Sequence, residues 1–148
     1  MFYSKLIIIV LNFLDYFQQK KIINLINSKF LKPVIVFDVG AHYGETIRLF
    51  NKKLKLKKIY SFEASPKNYQ VLQKKIFKHN SDKIEIFNYG IGEKMSKGLI
   101  NQTLESSSST INKLNMNSKY FKKKLNILNI KSKNYFQYPV PIEIISLD

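Results

Sequence analysis

The sequence contains no cysteine, which excludes disulfides, thiolate metal sites and thiol nucleophiles. Histidine is scarce: His42 and His79 stand far apart, without zinc-ligand spacing. Acids are few, 10 against 25 basic residues, for a formal net charge of +15. Arginine is nearly absent too, Arg48 being the single one. Readers of base edges and phosphates favour arginine, whose planar fork bonds bidentately. The excess is lysine set among Ile, Asn, Phe and Tyr, the imprint of AT-rich coding, and no nucleic-acid partner is expected.

Long apolar runs are also lacking. Leu6–Leu14 spans nine residues and is interrupted by Asn12, short of the roughly 20 that cross a bilayer. Lys5 precedes it, but no small-residue cleavage site follows. The run is expected to form an amphipathic helix docked on the domain. The sharper alternative is a peripheral membrane anchor with Lys20 and Lys21 at the lipid surface. A cytoplasmic location is expected.

What is present fits one domain: 148 residues, 45% of them apolar. Residues 1–32 read as an N-terminal helical segment, with Ile22, Ile23 and Ile26 at helical spacing until Pro33 breaks the pattern. Residues 33–148 read as the domain proper. Val34-Ile35-Val36-Phe37 is an unalternating run, which predicts a parallel strand buried on both faces. It ends in Asp38 and a glycine loop, Gly40-Ala41-His42-Tyr43-Gly44. A helix follows, with Ile47, Phe50 and Leu54 toward the sheet.

A second strand, Lys58–Phe62, ends in Glu63. Ser65 then caps a helix with Pro66 at its first position, and Tyr69, Leu72 and Ile76 form its apolar face. His79-Asn80 is expected to end it. A third strand, Ile84–Phe87, leads into a turn from Asn88 through Gly90, Ile91 and Gly92 to Glu93. Alternating strands and helices predict a parallel sheet with right-handed crossovers. Beyond Gly98 the reading is a short strand at Leu99–Thr103, a polar loop at Ser106–Ser109 and a solvated lysine-rich insertion from Lys113 to Lys133. Phe121, Leu125 and Leu128 would give that insertion an apolar face if it is helical. Val140–Leu147 reads as an edge strand because of Pro139 and Pro141.

Three features line up at successive strand ends. In Asp38-x-Gly40-x-x-x-Gly44, glycine lets the backbone turn sharply and approach a ligand. Glu63 follows Gly44 by 19 positions, which sets a carboxylate beside that loop to accept a ribose diol. Alternatively Glu63 is a solvated acid capping the Pro66 helix. In the turn after the third strand, small residues leave room for a flat adenine, with Glu93 or Asn88 toward its amine. A dinucleotide fingerprint would need glycine where His42 stands, and Asp38 is a poor neighbour for pyrophosphate. An acid there suits a cation instead. S-adenosylmethionine carries an ammonium and a sulfonium and no phosphate.

The stretch Val36–Thr46 resembles the first motif of class I methyltransferases, specifically of the FkbM-type family. Ile59–Tyr69, Asn88–Glu93, the serines at 106–109 and the tail Val140–Asp148 continue the likeness, which covers residues 34–148. The resemblance implies an α/β, Rossmann-like doubly wound parallel sheet of the class I methyltransferase type, incomplete at its C-terminus. It implies O-methyl transfer from S-adenosyl-L-methionine to a hydroxyl of a sugar or other small molecule. Asp38 and Gly40 would lie near the methionine part, with His42 beside it, Glu63 on the ribose, and the turn around Gly92, with Ile91 and Glu93, at the adenine; Ala41, Tyr43, Gly44 and Ala64 would also bind the cofactor. No catalytic residue and no metal ligand is assigned. The competing readings are a non-catalytic nucleoside-binding module and a basic polyanion-binding protein.

Overall fold

The structure, a computed structural model, describes residues 17–77, 81–103, 109–131 and 135–148. Helix α1 covers residues 17–29. Strand β1 (Val34–Val39), helix α2 (Glu45–Lys53), strand β2 (Leu56–Phe62), helix α3 (Pro66–Ile76) and strand β3 (Ile84–Phe87) then alternate. The three strands form one parallel sheet in the order β1-β2-β3. The local signals act as their chemistry predicts. Ser65 Oγ accepts a hydrogen bond from the Asn68 amide at 3.3 Å, with Pro66 opening α3. Lys52 and Lys53 occupy the last turn of α2, where cations offset the helix dipole.

The core lies between this sheet and the helices. Ile47 of α2, Ile59 of β2 and Leu72 of α3 are fully buried, and Ile23 of α1 joins them. Each such side chain contributes about 1.5–3 kcal/mol of burial. Ile26 packs against the same cluster, whereas Ile22 is exposed.

The expectation that β1 is buried on both faces is not met. Its residues alternate, and Ile35, Phe37 and Val39 are 49%, 57% and 59% exposed. The physical reason is position: β1 pairs with β2 alone, and among the described residues its second face is left about half open.

A second sheet follows. Strands β4 (Gly90–Ile91), β5 (Ser96–Thr103) and β6 (Phe136–Ile145) are ordered β4-β6-β5, with β5 antiparallel to β6 and β4 parallel to it. The last strand is therefore central, not the edge its prolines predicted. The correction has a simple cause. β4 reaches only Ile144 and Ile145, so Pro139 and Pro141 lie where β6 is paired with β5 alone. There the missing proline N–H leaves no gap in a ladder.

Part of the lysine-rich stretch also differs from a solvated insertion. Helix α4 (Lys119–Leu128) starts at a Ser118 cap and buries Phe121 and Leu125 against Tyr135. The end of α3 expected at His79-Asn80 and most of the Ser106–Ser109 loop lie outside the described residues, as does the apolar run Leu6–Leu14. Among the described residues, no helix is long and apolar enough to cross a membrane.

Candidate functional site

The site is built at the C-terminal ends of β1 and β2. Leaving β1, the chain adopts left-handed conformations at Gly40 (φ 87°), His42 (φ 48°) and Gly44 (φ 83°). Glycine takes them freely; for His42 the left-handed region costs about 1–2 kcal/mol. At Gly44 packing adds a second demand, because a Cβ would lie 2.8 Å from Leu72 Cδ1. At Gly40 a Cβ would meet nothing within 4 Å, so the loop opens onto free space there.

The loop is fastened by its own amides. Gly40 and Ala41 donate to the Phe62 carbonyl at 2.8 and 3.0 Å, and Gly44 donates to Ala41. The His42 amide donates to Glu63 Oε2 at 2.8 Å, and the Tyr43 amide to Glu45 Oε2 at 3.2 Å. Every amide from Gly40 to Gly44 thus has an acceptor within the protein. Phosphate-binding loops need such amides pointing at the ligand. Here two of them already hold carboxylates.

Glu63 is not the solvated helix cap of the alternative reading. It is only 6% exposed. Its Oε1 accepts from the Ser65 amide at 2.9 Å and from Asn68 Nδ2 at 3.4 Å, while Ser65 does the capping. With the His42 amide on Oε2, the carboxylate retains acceptor capacity on that oxygen for a further donor. Asn88 Nδ2 donates to the carbonyls of Glu63 and Ala64 at 2.8 and 3.3 Å, which fixes the orientation of its side chain.

Behind the loop, Asp38 Oδ2 accepts from Ser61 Oγ at 3.3 Å. Burial pushes the Asp38 carboxyl above its ordinary value; the Ser61 hydroxyl pulls it down, and the charges of Glu63 and Glu45 raise it further. In a strongly basic protein, this end of the sheet is a local concentration of acid.

A cavity of about 280 Å³ opens in front of Glu63. Gly40, His42, Glu63 and Ala64 line its floor, Tyr89 and Ile91 one wall, and Ile100 with Ser109–Ile111 its roof. Its size is just under the roughly 300 Å³ at which small-molecule sites begin. Larger clefts exist elsewhere, about 660 Å³ beside Tyr69 and Lys97 and about 710 Å³ beside Phe30 and Phe50. Neither contains the glycine loop or Glu63.

Of the residues expected at a cofactor, Gly40, His42, Glu63, Ala64 and Ile91 meet at this cavity. Ala41 is buried in the core beneath the loop. The Tyr43 ring stacks on His42 at 3.8 Å between centroids, with Lys75 Nζ 4.6 Å from its own centroid. Gly92 and Glu93 lie off the cavity: a Cβ on Gly92 would come within 2.7 Å of Ile144 Cγ2, and Glu93 is exposed. The room left by that glycine is taken by β6. Residues not foreseen are Asn68, which is buried against Glu63, and the roof, Ile100 and Ser109–Ile111. The spacing of Asn68 three residues after its Ser65 cap was the available signal. Among the described residues, no three His, Asp or Glu side chains cluster as a metal site.

No family model matches the sequence, and no curated protein does. A crystal structure of the methyltransferase FkbM from Methylobacillus flagellatus KT aligns at 21% identity and a TM-score of 0.39, over 44% of this chain and 19% of that one. The aligned part is thus less than a fifth of that protein's length. The α/β assignment rests on the strand order and loop geometry described above.

Proposed function

We propose that this chain binds S-adenosyl-L-methionine as part of a class I, FkbM-type methyltransferase with a doubly wound, Rossmann-like domain. The observation that carries the reading is the saturation of the Gly40–Gly44 amides, two of them by Glu63 and Glu45. A loop so occupied offers nothing to a pyrophosphate, and the surrounding acids favour a ligand that is neutral or cationic. The small cavity fits a nucleoside better than a dinucleotide.

In this reading Glu63 accepts a ribose hydroxyl on Oε2, the oxygen with capacity to spare. The apolar wall of Tyr89 and Ile91 takes the adenine face. Gly40 leaves space for the amino-acid part, and Asp38 behind it supplies negative potential toward an ammonium. When bound, the cofactor supplies an electrophilic methyl group. The family resemblance implies the acceptor, a hydroxyl of a sugar or secondary metabolite, and a cytoplasmic setting is proposed with it.

Calorimetric titration with S-adenosylmethionine tests this. The wild type should bind, Glu63→Ala should lose most affinity, and Asp38→Asn should lose less. NADH should give no heat. A folded wild type that gives none with S-adenosylmethionine, or affinity for polyanions that falls steeply with salt and ignores Glu63, would sink the proposal.

A further inference from the structure

The roof and the floor of the cavity come from segments distant in sequence, and a line of buried polar groups joins them. Ser65, beside Glu63, is fully buried; Gln102 of β5 is 1% exposed and Thr103 fully buried. The Ser65 amide donates to Glu63 Oε1 at 2.9 Å. Its Oγ accepts from the Asn68 amide, so its proton goes to Gln102 Oε1, at 2.6 Å. Gln102 Nε2 in turn donates to Ser109 Oγ at 3.0 Å, which also accepts the Thr103 amide at 3.1 Å. One rung further, Asn101 and Thr110 exchange backbone hydrogen bonds at 2.8 and 3.3 Å. Gln102 lines no part of the cavity. Both ends of its amide are nonetheless committed, one to Ser65, which is bonded to Glu63 of the floor, and one to Ser109 of the roof.

A glutamine is costly in an interior unless both ends find partners, and an apolar replacement would take one partner from each of two hydroxyls, Ser65 and Ser109. We propose that Gln102 is a positioning residue that holds the Ser109–Ile111 roof over the Glu63 floor and so sets how tightly the cavity closes on its ligand. The ligand half of this statement rests on the cofactor reading above; the roof half does not.

Hydrogen exchange, read by NMR on the full chain, tests the roof. In Gln102→Leu the amides of Thr103 and Thr110 should exchange about tenfold faster or more, the scale set by one buried hydrogen bond. Ile59, which bonds to Lys83 in the parallel sheet, should keep its protection. Gln102→Glu supplies the control for mere destabilisation. A neutral carboxylic acid offers an acceptor and a donor, as the amide does; an ionised one does not. Roof protection in this variant should approach wild type in acid and fall as pH rises, while the wild type, which carries the same neighbouring Glu63, shows no such fall.

Unchanged protection in Gln102→Leu overturns the proposal. If that variant loosens everywhere, the glutamate variant decides, and protection that ignores pH overturns it. The ligand half is tested with S-adenosylhomocysteine, whose affinity should drop about tenfold in Gln102→Leu. Equal affinity in both proteins refutes the closing role. A wild type that binds no S-adenosylhomocysteine, with the exchange results as expected, removes the cofactor reading and leaves Gln102 as the holder of the roof.

Discussion

On one face of the parallel sheet, Ile59 meets Leu72 and both are fully shielded; on the other, Phe37 and Val39 leave more than half their surface open. The strands are the same, and so is the chemistry of the residues. Phe37 stacks on Tyr60 at 5.3 Å, and Tyr60 lies tilted against Phe87 at 6.5 Å, forming an aromatic row across all three strands. The difference lies in what lies opposite: α1, α2 and α3 pack on the first face, whereas the second leaves β1 about half open among the described residues. An apolar strand therefore reports what its residues tolerate, not what surrounds them. Exposed apolar patches of this kind mark contact surfaces or association hazards.

Substitutions can break this comparison. The largest effect is expected from Leu72→Ala, which empties a fully buried position and should lower stability by about 2–5 kcal/mol in chemical denaturation. Next comes Glu63→Ala at the rim between sheet and loop. It removes the acceptor of the His42 and Ser65 amides and of Asn68 Nδ2. Water entering from the adjoining cavity replaces part of that bonding, so a loss of about 1–3 kcal/mol in all is expected, and it should release the His42 conformation in hydrogen exchange.

Asp38 gives a smaller effect with a sign that depends on pH. Its carboxyl is raised, so folding favours the protonated form. Its contribution is present in full below the ordinary carboxylate pKa and is lost as pH rises through the raised value. Asp38→Asn should therefore be more stable than the wild type at neutral pH and show no gain at about pH 3. Thermal unfolding at the two pH values reads this directly.

The smallest effect is expected on the bare face. Phe37→Ser should change the stability of the monomer by no more than about 0.5 kcal/mol, while reducing self-association in sedimentation. A loss as large as that of Leu72→Ala would show that the two faces are equally buried in solution.

The parallel half of the molecule was legible because its signals are local. The Val34 run, the Ser65-Pro66 cap and the spacing of Ile47, Leu72 and Ile76 each act within a turn or a strand. The loop at Gly40 and the acid at Glu63 were visible for the same reason. What stayed hidden depends on contacts between distant segments. Nothing near Gln102 announces that Ser65 and Ser109 will meet it, and nothing near Gly92 tells an opening for a ligand from a seat for Ile144. The central place of β6 was masked because proline reports only which side of a strand must go unpaired. α4 showed its apolar spacing, but its Tyr135 partner lies outside the helix.

Asn88 also shapes the path of the chain. Its side-chain amide reaches the carbonyls of Glu63 and Ala64 just past the final residue of β3. It thereby acts as a surrogate peptide group, adding one more rung to the ladder after the strand itself has departed. The backbone is then at liberty to cross into the second sheet, two residues later at Gly90, without loosening the acid beside it. The chain thus passes from one sheet to the next while the strand end that carries Glu63 keeps its hydrogen bonds.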